Sequence, residues 1–164
     1  MPDVQPDPAP MTYRITNTAL KTIANTAQQS RDGLETGGIL LGTDHTSDVV
    51  ITSAGTPGPK ARRASHSFHR DLDHANQLAT LAWQNDGSQW IGEWHTHPSR
   101  DLTPSELDLT SYLRHVHDPE LRLDRFIAII VGLTTQQKVR MQTWIITRTH
   151  VLPASLLIHE ADPR

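Results

Sequence analysis

His95 and His97 stand two residues apart in the segment WIGEWHTHPSRDLTPSELD, residues 90–108, which also carries Ser105 and Asp108. On an extended strand, residues i and i+2 face the same side, so both imidazoles project together while Thr96 points away. A catalytic zinc site takes three protein ligands and leaves one position open, so this pair supplies all but one of them. Cysteine is absent, and the third ligand must therefore be a histidine or a carboxylate. Asp108 is the best supply. Pro98 breaks the strand, a short loop reverses the chain, and a helix starting near Thr103 can return its second turn to the strand end. Ser105 lies three residues before Asp108 on the same helical face, where its hydroxyl could donate to an oxyanion.

Each of these residues also has an ordinary explanation. A His-X-His pair on a strand is commonly a surface or hydrogen-bonded pair. An aspartate in the first turns of a helix is favoured by the helix dipole, and a serine there tolerates the terminus. Only the order and spacing taken together point to a metal. Peptide hydrolysis would also need a carboxylate that does not bind the metal, to take a proton from water and deliver it to the leaving amine. Glu93 shares the strand face of His95, and Glu35 opens the stretch ETGGILLG. Spacing alone slightly favours Glu93, because it is nearer in sequence.

The elements that must position these side chains follow from periodicity and punctuation. TYRIT (12–16) alternates as a short strand, and Ile15, Ala19, Leu20, Ile23 and Ala27 predict a helix over 17–30, capped by Thr16 or Asn17. GGILLG (37–42) and DVVITSA (48–54) predict a hairpin, followed by a loop over 55–63. Leu72, Ala75, Leu78, Ala79, Ala82 and Trp83 recur at helical spacing over 71–85, and WIGEWHTH reads as a strand. Thr103, Pro104 and Glu106 mark a helix start as N-cap, N1 and the partner of a capping box, and Pro119 ends that helix. RFIAIIVG (125–132) and VRMQTWIIT (139–147) form a second strand pair, and the tail is expected to pack one last short element. The order predicts an α+β (mixed α/β) fold, a curved sheet flanked by helices, with strand topology left open.

Length and composition set the remaining bounds. A chain of 164 residues suits one domain over 11–164, preceded by a disordered arm over 1–10 that holds four prolines. Met11 is an alternative start. The net charge of −3 gives no electrostatic reason to expect a nucleic acid partner or an anionic membrane. No apolar run reaches the roughly 18–20 residues of a membrane span, and residues 1–10 lack the features of a signal peptide, so a cytoplasmic location is the default expectation. Trp83, Trp90, Trp94 and Trp144 are expected in the core. His66, His69 and His74 form a loose group of surface or supporting residues, and His115 and His117 sit where a helix C-terminus favours imidazolium.

His95-Thr96-His97-Pro98, seven residues to Ser105 and two more to Asp108, match the JAMM signature at all four positions, and ETGGILLG resembles the upstream element of the same family. The chain thus resembles the JAB/MPN metalloproteases over roughly residues 12–147. That resemblance implies a curved JAB/MPN-like sheet, one Zn2+ held by His95, His97 and Asp108, Ser105 as oxyanion donor, and Glu35 as general acid/base. On this ground Glu35 displaces Glu93, which becomes a strand residue near the site. The stretch from Trp83 through GEWHTHP resembles the small prokaryotic branch, including the deconjugating peptidase of CBASS antiphage operons. The substrate implied is the C-terminal tail of a ubiquitin-like protein or conjugated enzyme, joined to an amine. Arg62, Arg63 and Arg70 could meet acidic groups on such a partner, or simply be solvated. Short segments such as 55–63 leave little material for reading polyubiquitin linkage. A non-catalytic scaffold, and a processing protease for a sulfur-carrier or phage-tail protein, are the alternative readings.

Overall fold

The computed structural model describes residues 11–45 and 47–160. The elements in chain order are β1 (Thr12–Thr16), α1 (Asn17–Gln29), β2 (Gly37–Asp44), β3 (Asp48–Ala54), β4 (Arg62–Arg63), β5 (Phe68–His69), α2 (Leu72–Asp86), β6 (Gln89–Thr96), α3 (Glu106–His117), β7 (Phe126–Leu133), β8 (Val139–Ile146), β9 (Val151–Ala154) and β10 (Leu157–His159). Eight strands form one sheet in the order β10-β1-β3-β2-β6-β7-β8-β9, and β4 and β5 form a separate two-stranded ribbon. The fold is α+β as expected. The arm over residues 1–10 lies outside the described residues, while Met11 packs half-buried against the core.

Strand β7 shows why this sequence makes this sheet. It is flanked by β6 in parallel and β8 antiparallel, and its residues are buried on both faces, so it reads as an unbroken apolar run. Helix α1 buries Ala19, Ile23 and Ala27 against one face, and Thr16 caps it by accepting from the Ala19 amide at 3.2 Å. Helix α3 places Tyr112 and Val116 with Phe126, Ala128 and Ile146 in a second apolar cluster. The tail goes further than a single short element. Strand β9 extends one sheet edge beside β8, where Pro153 needs no ladder partner, and β10 pairs in parallel with β1 at the other.

Three expectations are corrected. Helix α2 begins after its N-cap Asp71 and ends at the left-handed Gly87 as the spacing implies, but it packs shallowly through Ala75, Leu78, Ala79 and Ala82. Leu72 and Trp83, on the same predicted stripe, are 63% and 59% exposed. Of the four tryptophans only Trp94 is fully buried, its Nε1 donating to the Gly55 carbonyl at 2.9 Å, while Trp90 and Trp144 are half-buried. Helix α3 starts two residues later than Thr103 implies. Ser105 is the N-cap, and Ser105 with Asp108 forms the capping box. Thr103 instead donates its amide to the Asp101 carboxylate at 2.9 Å in the preceding loop.

Candidate metal centre

Strands β2 and β6 bring together residues that are far apart in sequence. They pair antiparallel with Gly37 opposite His95, so Glu35, just before β2, lies beside the end of β6. A Cβ on Gly37 would collide with the Trp94 carbonyl and the His95 side chain, which is why only glycine permits this approach. The junction is closed by the Thr96 amide donating to the Thr36 carbonyl at 2.8 Å and the Thr36 amide donating to the Thr96 hydroxyl at 2.9 Å. Strand β6 ends at Thr96, one residue earlier than expected. The His97 amide still donates to the Val131 carbonyl of β7 at 2.8 Å, so its side chain stays on the His95 side.

The three expected ligands converge. The Nε2 atoms of His95 and His97 are 2.9 Å apart, and Asp108 brings Oδ1 to 3.3 Å from His95 Nε2 and Oδ2 to 3.1 Å from His97 Nε2. His97 Nδ1 lies 2.6 Å from the Asp101 carbonyl oxygen. A carbonyl only accepts, so Nδ1 carries the proton and a neutral His97 turns a bare Nε2 lone pair toward the carboxylate. Acceptors facing acceptors repel unless a cation lies between them, either a proton or a metal ion. The edge of a zinc tetrahedron with bonds of about 2.0–2.1 Å is about 3.3 Å, close to these separations. The donor set fits a small divalent ion.

Glu35 is the fourth member of the group. It is 5% exposed, and its Oε1 lies 3.9 Å from His97 Nε2. Donor atoms of Glu35, His95 and His97 fall within 4.8 Å of one another, so Glu35 and Asp108 compete as third ligand by proximity alone. The shorter approaches to both imidazoles favour Asp108. Ser105, the N-cap of α3, accepts from the Asp108 amide at 3.1 Å while its own amide donates to Asp108 Oδ2 at 2.8 Å. Its hydroxyl proton is left to donate into the cleft.

Electrostatics separate the acids. Burial would raise Asp108, but hydrogen bonds from His95 and from His97 in its protonated form outweigh it and hold the carboxyl well below the usual carboxylate range. Burial raises the Glu35 pKa despite the opposing fields of His95 and His97. For His97 burial is again opposed, here by the Asp108 carboxylate, the Asp101 carbonyl and Glu35, and its pKa rises above the ordinary value. Glu93 is also raised by burial, but its carboxylate is engaged by Arg70 at 3.3 Å, whose guanidinium lies over the Trp90 ring. A supporting residue not foreseen in the sequence is Tyr112, whose hydroxyl is 3.4 Å from His95 Nδ1. Its place one turn beyond Asp108 on α3 is the signal that could have found it.

Other expected residues scatter. His66 lines a cleft of about 200 Å³ with Glu35, Ser65, His97 and Ser105. His69 lines a neighbouring groove of about 320 Å³ with Arg62, Arg70, Glu93, Asp108 and Arg114, and His74 bonds the Thr56 hydroxyl at 2.9 Å. The three histidines form no common cluster. His115, expected to be favoured as imidazolium, has its pKa lowered by burial and by Arg70 and Arg114.

Comparison with known proteins identifies the family. The family described as prokaryotic homologs of the JAB domain matches residues 18–147. A Pseudomonas aeruginosa protein named CD-NTase/cGAS isopeptidase is 33% identical over 97 residues, 58% of this chain and 61% of that protein. An Escherichia coli protein of the same name is 31% identical over 60% of this chain and 62% of its own. A Sinorhizobium fredii protein named as a probable metalloprotease is 31% identical, with 60% and 62% covered. The chain thus spans about six tenths of the length of these relatives. A solution structure from Desulfitobacterium hafniense shares the fold with a TM-score of 0.65 and 20% identity, over 92% of this chain and 94% of that one. With the match extending over most of the sequence, the chain belongs to the prokaryotic branch of the JAB domain family.

Proposed function

We propose that this chain is a zinc-dependent isopeptidase that releases the C-terminal tail of a conjugated protein from an amine. One observation carries the reading: His95, His97 and Asp108 present their donor atoms 2.9–3.3 Å apart, with Glu35 beside them, in a member of a family whose named relatives are isopeptidases and a probable metalloprotease. His95, His97 and Asp108 would hold the ion. When bound, zinc supplies Lewis acidity, polarising a carbonyl and acidifying water.

The chain's own residues do the rest. Glu35, kept at a raised pKa by burial, takes a proton from the attacking water and returns it to the leaving amine. The Ser105 hydroxyl donates to the developing oxyanion. The Asp101 carbonyl and the Tyr112 hydroxyl hold the outer nitrogens of the two imidazoles and so orient the rings. The name of the relatives supports a CD-NTase tail as the first substrate to try, and with it a role in antiphage deconjugation. No helix among the described residues is long and apolar enough to cross a membrane.

The test is incubation of the protein with a CD-NTase whose C-terminus is joined to a lysine amine, with and without a chelator. The expected result is cleavage at the tail carbonyl that chelation abolishes and zinc restores, and Glu35→Gln should retain zinc while losing hydrolysis. An active Glu35→Gln variant would remove Glu35 from the mechanism. Zinc binding without cleavage of any tail conjugate, including sulfur-carrier and phage-tail fusions, would leave the scaffold reading in its place.

A further inference from the structure

Glu35 belongs to no strand or helix; β2 begins two residues later. Something other than a ladder must fix its backbone, and the β4–β5 ribbon supplies it. The Glu35 amide donates to the Ala64 carbonyl at 2.8 Å, and the Glu35 carbonyl accepts from Arg63 Nε at 2.9 Å. The Arg63 fork then grips the loop before Glu35, with Nη1 and Nη2 donating to the two Asp32 oxygens at 3.0 and 2.9 Å and Nη2 also reaching the Leu34 carbonyl at 3.3 Å. Asp32 is itself folded back, its Oδ1 accepting from the Leu34 amide at 3.1 Å next to the left-handed Gly33.

We infer that Arg63 is a positioning residue for Glu35, a clamp that locks the backbone of the proposed base to the β4–β5 ribbon. In sequence Arg63 reads as a solvated charge or as a cation for an acidic partner. Its side chain is three-quarters buried and committed within the chain. The ribbon needs the clamp as much as the loop does. It has two residue pairs, Arg62 with His69 and Arg63 with Phe68, and a two-stranded ribbon of that size has little stability of its own. Its turn carries Ser65 and His66 to the mouth of the cleft that holds Glu35 and Ser105, so whatever seats against the turn acts on a body joined to Glu35.

The catalytic half of this inference rests on the reading of Glu35 as the base; the structural half does not. The experiment compares Arg63→Ala, Arg63→Lys and wild type by site-resolved hydrogen exchange at the Glu35 amide, by zinc titration with ZnCl2, and by kinetics on the CD-NTase tail conjugate. Arg125→Ala is the control, since it removes a similar ion pair, Arg125 to Asp44 at 2.9 Å, at the far end of β2. Arg63→Ala should speed Glu35 amide exchange by about tenfold or more, leave zinc affinity within about twofold, and lower kcat by about 10- to 100-fold with a smaller change in KM. Lysine keeps the charge but not the fork, so Arg63→Lys should not restore either value. Unchanged Glu35 exchange in Arg63→Ala, full restoration by lysine, or an equal loss in Arg125→Ala would overturn the clamp. If wild type cleaves nothing, the functional reading fails, and exchange with zinc titration still decides the clamp.

Discussion

Replacing Tyr112 with phenylalanine removes one oxygen atom from the wall of the site. Tyr112 is fully buried and stacked on Phe126 at 5.1 Å, so the ring keeps its packing and the change is read at His95 alone. The two imidazoles are held differently. The Asp101 carbonyl fixes the His97 proton on Nδ1 in every state, whereas the Tyr112 hydroxyl can donate or accept. Without metal, His95 can keep its proton on Nε2, 3.3 Å from Asp108 Oδ1. A metal at Nε2 sends that proton to Nδ1, whose partner among the described residues is the Tyr112 hydroxyl at 3.4 Å. In the variant this N–H is buried without an acceptor. Such a loss costs about 1–3 kcal/mol, and a bond of this length belongs in the lower part of the range, about 1–2 kcal/mol. Zinc affinity should therefore weaken by about 5- to 30-fold, while the metal-free variant loses less stability than the zinc-bound one. Competition against a chromophoric chelator measures the affinity, and urea titrations with and without zinc measure the stabilities. Zinc affinity within about twofold of wild type, or an equal stability loss in both forms, would show that the Tyr112 hydroxyl does not hold the His95 proton.

Other consequences are equally direct. The raised His97 pKa contributes stability to the metal-free protein that is present below the unfolded value of about 6.5 and lost as pH rises through the folded pKa. In chelator the Tm advantage of wild type over His97→Gln should therefore be larger at pH 6 than at pH 8.5. With saturating zinc the order should reverse, because protons and metal compete for the same imidazole nitrogens. Ser105→Ala should cost about 1 kcal/mol of stability through the lost N-cap and about 100-fold in kcat through the lost donor, and Ser105→Thr should preserve both. Gly37→Ala should destabilise the protein by about 1–3 kcal/mol and weaken zinc binding, since its methyl would press on Trp94 and His95 where β2 meets β6.

The parts of the site that the sequence disclosed are those set by local geometry. His95 and His97 follow from the period of a strand, and Asp108 from the return of the next helix, all within 14 residues. Glu35 is different. It meets His97 only because β2 pairs with β6 across some 60 residues, and no periodicity reports which strands will be neighbours. Proximity in sequence pointed to Glu93, and the fold instead ties Glu93 to Arg70. The start of α3 lies two residues past the apparent one because Thr103 and Pro104 mimic a cap, while the Ser105–Asp108 pair makes it. The ribbon of β4 and β5 escaped notice because two residues per strand leave no alternating pattern. Its importance lies in hydrogen bonds from Arg63 to backbone that composition does not reveal. The apolar stripe of α2 is narrower than its spacing implies, because only Ala75, Leu78, Ala79 and Ala82 reach Ile39 and Leu41 of β2 and Trp90 of β6, which leaves Leu72 and Trp83 outside the contact.

The central claim is that a single ion joins His95, His97 and Asp108 with Glu35 left free of it. Anomalous diffraction at the zinc edge, on crystals grown from protein never exposed to chelator, tests it most directly. One peak per chain is expected, within about 2.0–2.2 Å of both Nε2 atoms and an Asp108 oxygen. A peak bound by Glu35 in place of Asp108, or no peak at all, would contradict it.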